Sequence, residues 1–135
     1  MSDPKRKYGA DAYRQNELLT ANKETVLLLL YAGAIRFLKQ AMDAMEKKKL
    51  AEKAKYIIKT QEIVGELRAG LNFEVGGEIA VNLERLYDYI IERLVQGNLQ
   101  NSTKPLEEAL NVLNMLNETW EEAVASLRKE KAAEK

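Results

Sequence analysis

The stretch KETVLLLLYAGAIRFLKQAMDAM, residues 23–45, decides the fold. Within it Leu27, Leu30, Ala34, Leu38, Ala41 and Met45 recur at steps of 3, 4, 4, 3 and 4, the period of an α-helix with one face turned to a core. Asn22 reads as its N-cap, and Glu24 suits the positive end of the helix dipole. The linker Glu46-Lys47-Lys48-Lys49 closes it with cations at the negative end. The same period then returns. A second helix is predicted over about Leu50 to Phe73 on Leu50, Ala54, Ile57, Val64, Leu67 and Leu71, broken by Gly76-Gly77. A third runs over about Glu78 to Gln96 on Ile79, Leu83, Leu86, Ile90 and Leu94, with Gly97-Asn98 as its C-cap. A fourth begins near Ser102-Thr103, with Pro105 in its first turn and a stripe of Leu106, Leu110, Leu113, Leu116, Trp120, Val124 and Leu127. Helices of about 20 to 25 residues are roughly 30 to 37 Å long. Short loops make sequential neighbours antiparallel. The predicted fold is therefore all-α: an up-down-up-down four-helix bundle over residues 22–128, with an N-terminal arm at 1–21 and a charged, frayed tail at 129–135.

Composition removes much chemistry. The chain has 135 residues, 46% hydrophobic and 31% charged, a single soluble domain by size. Its 21 basic residues balance its 21 acidic ones, which argues against nucleic acid as a partner. With neither cysteine nor histidine, thiolate chemistry, serine triads and HExxH zinc sites are excluded. No catalytic, metal or cofactor residues are expected. The longest uncharged apolar run, Val26 to Ile35, is about half a membrane span, and no cleavage site follows it, so membrane insertion is not expected and the protein reads as cytoplasmic. Glu118, Glu121 and Glu122 share a helix face and read as solvated carboxylates. Gly65 to Gly70 has phosphate-loop spacing, but Leu71 stands where lysine is required.

Two patterns exceed what a bundle core needs. The first helix is apolar nearly all round, since Val26, Leu28, Leu29, Tyr31, Ile35 and Phe37 fill faces beyond its stripe. No helix of a four-helix bundle is central, so the surplus implies a covering element: the arm, a partner or a second copy. Tyr87 and Tyr89 lie about 200° apart on a helix, so only one of them can face the core. Charge is also uneven. Residues 46–59 hold six lysines against two glutamates, while 104–122 hold one lysine against five glutamates, as if the second and fourth helices were to face each other.

Leu83-x-x-Leu86-Tyr87-Asp88-Tyr89-Ile90, continuing through Arg93-Leu94 to Asn98, resembles the most recognisable stretch of the flagellar secretion chaperone family. Tyr13-x-x-Asn16 in the arm, Leu28-x-Leu30-Tyr31-x-Gly33 in the first helix and Trp120 in the last agree with it, over about residues 13 to 125. The family's usual Thr-Pro before the first long helix is replaced by Thr20-Ala21, and Gly97 stands where alanine is common. The resemblance implies a cytosolic, non-enzymatic chaperone. Its partner would be the disordered C-terminal segment of flagellin, kept from premature polymerisation and fit for the flagellar export apparatus. Tyr13 and Asn16 would belong to an arm that caps the groove when no client is bound, with weak self-association as a further implication. Leu29, Tyr31, Ile35, Phe37, Tyr87 and Tyr89 are the groove candidates on motif and surplus together. Two other readings compete. A homodimer could bury the surplus face against itself. A histidine-free helical enzyme of the chorismate mutase type would need inward Arg and Glu side chains, and the stripes are almost purely apolar.

Overall fold

The computed structural model describes residues 23–134. The expected arm at 1–21, with Tyr13 and Asn16, and the expected cap at Asn22 lie outside the described residues. Four helices follow one another: α1 (Lys23–Glu46), α2 (Leu50–Ala69), α3 (Phe73–Gln100) and α4 (Thr103–Ala133). The packed pairs are α1 with α2, α2 with α3, α3 with α4 and α4 with α1, which is the ring of an antiparallel bundle. The core is dominated by Tyr31, Leu38, Ile57, Val64, Tyr87, Ile90, Leu94, Leu106 and Leu113, all essentially without solvent contact.

This ring corrects one expectation. α2 and α4 are diagonal, so the lysine-rich start of α2 does not face the glutamates of α4. Lys53 turns inward instead. Its Nζ donates to the Asn98 carbonyl at 3.1 Å and to Asn101 Oδ1 at 2.5 Å, a cation at the negative end of α3.

The helix ends differ from the sequence reading for identifiable reasons. α2 stops at Ala69 rather than Phe73, because Asn72 starts a new turn: its Oδ1 accepts from the N–H groups of Glu74 and Val75, each at 3.1 Å. Gly77 interrupts α3 at φ 49°, ψ −121°, a backbone region open essentially to glycine. α3 also runs past Gly97. Asn101 takes the left-handed cap at φ 49°, and the Ser102 N–H reaches the Gly97 carbonyl at 3.2 Å, the helix-ending bond of a Schellman motif. Gly97 has another task. A Cβ there would lie 2.6 Å from Leu106 Cδ2, so glycine lets α4 start close against α3. α4 persists through Ala133, across most of the stretch expected to fray.

The α1–α2 connection repeats the Schellman arrangement with Lys48 at φ 59° and the Lys49 N–H on the Ala44 carbonyl at 2.8 Å. A Cβ is unfavourable there. Lys48→Gly is expected to raise stability by about 0.5 to 1 kcal/mol, read as a shift of the urea midpoint at constant slope.

Candidate functional site

The surplus of α1 leads to the site. By length and mean hydropathy, 1.3 over its most apolar window, α1 is the described helix that could cross a membrane. Tyr31, Gly33, Ala34, Leu38, Ala41, Ala44 and Met45 account for part of that content by facing the core. Much of the rest lines surface grooves.

The larger apolar one, about 690 Å³, opens where the first turns of α1 (Val26, Leu27, Leu30), the end of α2 (Leu67, Leu71) and the start of α3 (Val75, Ile79, Leu83) meet. Trp120 of α4 forms one wall and Tyr87 lines the floor. Beyond Trp120 a further depression of about 300 Å³ continues along Leu27, Val124 and Leu127. The break at Gly77 lies in the segment of α3 that lines the trough. Val75 is 86% exposed and Ile79 69%, values unusual for aliphatic side chains that flank one another.

Beneath it lies a polar pair. The hydroxyls of Tyr31 and Tyr87 are 2.5 Å apart, with both rings buried. Burial is the main reason both phenols are held above the ordinary tyrosine pKa, Tyr31 far above it. For Tyr31 the neighbouring Tyr87 hydroxyl adds to the rise and the Trp120 indole opposes it. Each hydroxyl is thus satisfied by the other, and the described residues contain no buried unpartnered side-chain polar atom.

The groove candidates read from sequence separate on this surface. Tyr31 and Tyr87 come together, but as buried core under the trough rather than as its exposed lining. Leu83, Tyr87, Ile90 and Leu94 step at helical spacing, so Tyr87 belongs to the core stripe. Tyr89, as its 200° offset requires, is 40% exposed; its hydroxyl donates to Glu108 Oε2 at 3.3 Å and Arg93 lies 5.9 Å from its ring. Leu29 is exposed and lines neither main groove. Ile35 lines a second, mixed groove, and Phe37 is half-buried, stacked on Tyr56 with centroids 6.1 Å apart. Sequence reading assigned Leu27, Leu30, Leu71, Ile79, Leu83 and Trp120 to the core, yet they line the trough. The available signal was position: Leu27, Leu30, Leu71 and Ile79 lie near helix ends or beside Gly76-Gly77, where packing partners run out, while Leu83 and Trp120 sit farther into α3 and α4.

Fold and surface together define a helical bundle presenting an apolar trough, the architecture of a binding scaffold. The model of the family described as flagellar protein FliS matches residues 5–127, and the chain belongs to that family. It is 34% identical over 120 residues to the flagellar secretion chaperone FliS of Bacillus subtilis, covering 89% of each chain. It is 42% identical over 101 residues to the flagellar secretion chaperone FliSB of Pseudomonas aeruginosa, covering 75% of this chain and 80% of that one. Among solved structures, a flagellar chaperone from bacteria superposes with a TM-score of 0.73 at 21% identity, over 90% of this chain and 98% of the other, a likeness of fold. Members of the family are named as chaperones, not enzymes.

Proposed function

We propose that this flagellar chaperone acts in the cytosol on flagellin. It holds flagellin's disordered C-terminal segment, prevents premature polymerisation and keeps the subunit fit for the flagellar export apparatus. The observation that carries this reading is the trough itself, with Val75 and Ile79 exposed beside a buried tyrosine pair. An apolar segment folding onto it removes those side chains from water at about 25 cal/mol per Å². Ordering some 40 residues costs on the order of 40 to 60 kcal/mol, so the client must bury roughly 2,000 Å² or more and extend well beyond one groove.

Calorimetry with the C-terminal segment of flagellin tests this. The expected result is binding with a large negative heat-capacity change and unfavourable ordering entropy. Trp120, the single tryptophan, should shift its emission to the blue as the trough fills. Tight binding with a heat-capacity change near zero and unmoved emission would overturn the reading.

The arm is proposed to compete with the client for the same surface, through Tyr13 and Asn16. Supporting this, Lys23 lines the trough, so the preceding residues join the described chain at its rim. A tethered segment acts at an effective concentration of about a millimolar or more. If its docking is worth about 2 kcal/mol, only about 3% of molecules are open and client affinity is masked roughly 30-fold. Deleting residues 1–17 should therefore strengthen flagellin binding by about that factor and raise binding of a dye for apolar surface. Unchanged affinity and dye binding would remove the arm from the mechanism.

A further inference from the structure

A second groove, about 810 Å³, lies on the other half of α1, between the start of α2 and the middle of α4. Its lining is more polar than that of the trough. Arg36 and Lys39 line it from α1, Tyr56 from α2, and Asn114 and Asn117 from α4. Tyr56 stacks on Phe37 at an interplanar angle of 21°. Cations cover this aromatic pair: Arg36 and Lys59 each lie 5.1 Å from the Phe37 ring centroid and Lys55 lies 5.5 Å from that of Tyr56. Among the described residues, no carboxylate lies in ion-pair contact with Arg36, Lys39, Lys55 or Lys59. Of the two carboxylates in the lining, Asp43 is engaged by Lys47 at 3.1 Å, which leaves Glu52 against the lining cations Arg36 and Lys39, with Lys55 and Lys59 over the aromatic pair beside them. The diagonal placing of α2 and α4 is why the fold does not neutralise them.

The carboxamides add a second requirement. Asparagine is a poor residue inside a helix, because its side chain competes for backbone hydrogen bonds. Yet Asn114 and Asn117 stand three apart in the interior of α4, one above the other on the groove wall. A carboxamide offers both a donor and an acceptor, matching the carbonyl and N–H of a peptide unit. Asn117 Nδ2 donates to Glu121 Oε1 at 3.1 Å, which holds that amide and turns its oxygen into the acceptor.

We propose that this groove docks an acidic, extended segment of a second protein. Its carboxylates would meet Arg36, Lys39 and Lys59, its main chain the amides of Asn114 and Asn117, and an apolar side chain the Tyr56–Phe37 pair. The inference is independent of what fills the apolar trough. Because the two grooves occupy opposite halves of α1, both can be filled at once.

The test uses the full chain and a fluorescein-labelled 12-residue peptide alternating Asp or Glu with Leu and Phe, followed by anisotropy. A matched peptide with lysines in place of the acids is the control. The acidic peptide should bind at 50 mM NaCl, weaken 10-fold or more at 500 mM, and the lysine peptide should not bind. Arg36→Glu with Lys39→Glu should weaken binding more than 10-fold, and Asn114→Ala with Asn117→Ala about 3- to 10-fold, whereas Ile79→Asp should leave it unchanged. Should the charge reversal fail to fold by circular dichroism, Arg36→Gln with Lys39→Gln carries the same test. Binding indifferent to either pair, or lost in Ile79→Asp, overturns the proposal. So does a low-salt dimer in sedimentation that the charge reversal dissolves while the peptide fails to bind, since the occupant is then a second copy.

Discussion

Ile79→Asp should lower affinity for the C-terminal segment of flagellin at least 100-fold while leaving the thermal midpoint of the free protein within about 2 °C. Both halves follow from where this side chain stands. It lines the trough and is 69% exposed, so the folded monomer loses little buried area when it changes. In the complex the same position would be covered, and an unpaired carboxylate there costs several kcal/mol. At 1.4 kcal/mol per factor of ten, about 3 kcal/mol is already 100-fold. Leu29→Asp is the natural contrast: an exposed aliphatic residue from the surplus of α1, yet outside both grooves. Isothermal titration of the two variants separates the trough from general surface apolarity. If Leu29→Asp weakens binding as much as Ile79→Asp, the client's path runs elsewhere on α1.

Tyr31→Ala should destabilise the bundle by about 3 to 5 kcal/mol, the range for truncating a buried aromatic ring. The hydroxyl pair gives the sharper experiment. Removing one oxygen, as Tyr31→Phe, leaves Tyr87 buried without a hydrogen bond and should cost about 1 to 3 kcal/mol, whereas Tyr87→Phe leaves Tyr31 the Trp120 indole and should cost less. Removing both should cost less than the sum of the singles, since no orphan remains. The pair also fixes an alkaline limit. Both phenols are raised in the folded state, so below the unfolded pKa of about 10 their contribution is constant. As pH climbs past that value the unfolded chain releases protons the folded chain keeps. Stability then falls, by up to about 1.4 kcal/mol per pH unit for each tyrosine. Urea titrations at pH 9, 10 and 11 should show this decline, and the double Phe variant should flatten it. An equally steep decline in the double variant would assign the limit to other groups.

How much of this was legible in the sequence depends on which force set each feature. Helical period placed Leu38, Ile57, Ile90, Leu94, Leu106 and Leu113 in the core, because one stripe per helix is all that burial requires. Pro105 read correctly as a first-turn residue. Gly97 did not read correctly: glycine's common role at helix ends hid its role as a gap for Leu106, which is a fact of packing between helices. Asn72 was missed because its capping oxygen restarts a helix three residues after another stops. The trough was half legible. Surplus on α1 pointed to a binding surface, but periodicity cannot distinguish a core stripe from the same stripe continued past the end of its partner. Leu27, Leu30, Ile79 and Trp120 are therefore indistinguishable in sequence from buried neighbours. Tyr31 and Tyr87 depart from expectation in burial alone. A tyrosine at a motif position suggests an exposed contact, and only the pairing of two hydroxyls across helices lets both be buried.

Lys53, described above as a cation at the end of α3, has a mechanical consequence. By binding the Asn98 carbonyl and Asn101 Oδ1 it rivets the start of α2 to the close of α3. At the far end of the same two helices the tie is an exposed one: Arg68, next to the last residue of α2, reaches Asp88 at 2.7 Å and Glu84 at 3.4 Å on α3. The seam is thus fastened at both ends, by a cation drawn out of water at one and by charges left in it at the other. Added salt screens the exposed pair and hardly touches the sheltered one, so the end beside the trough is the end that ionic strength loosens.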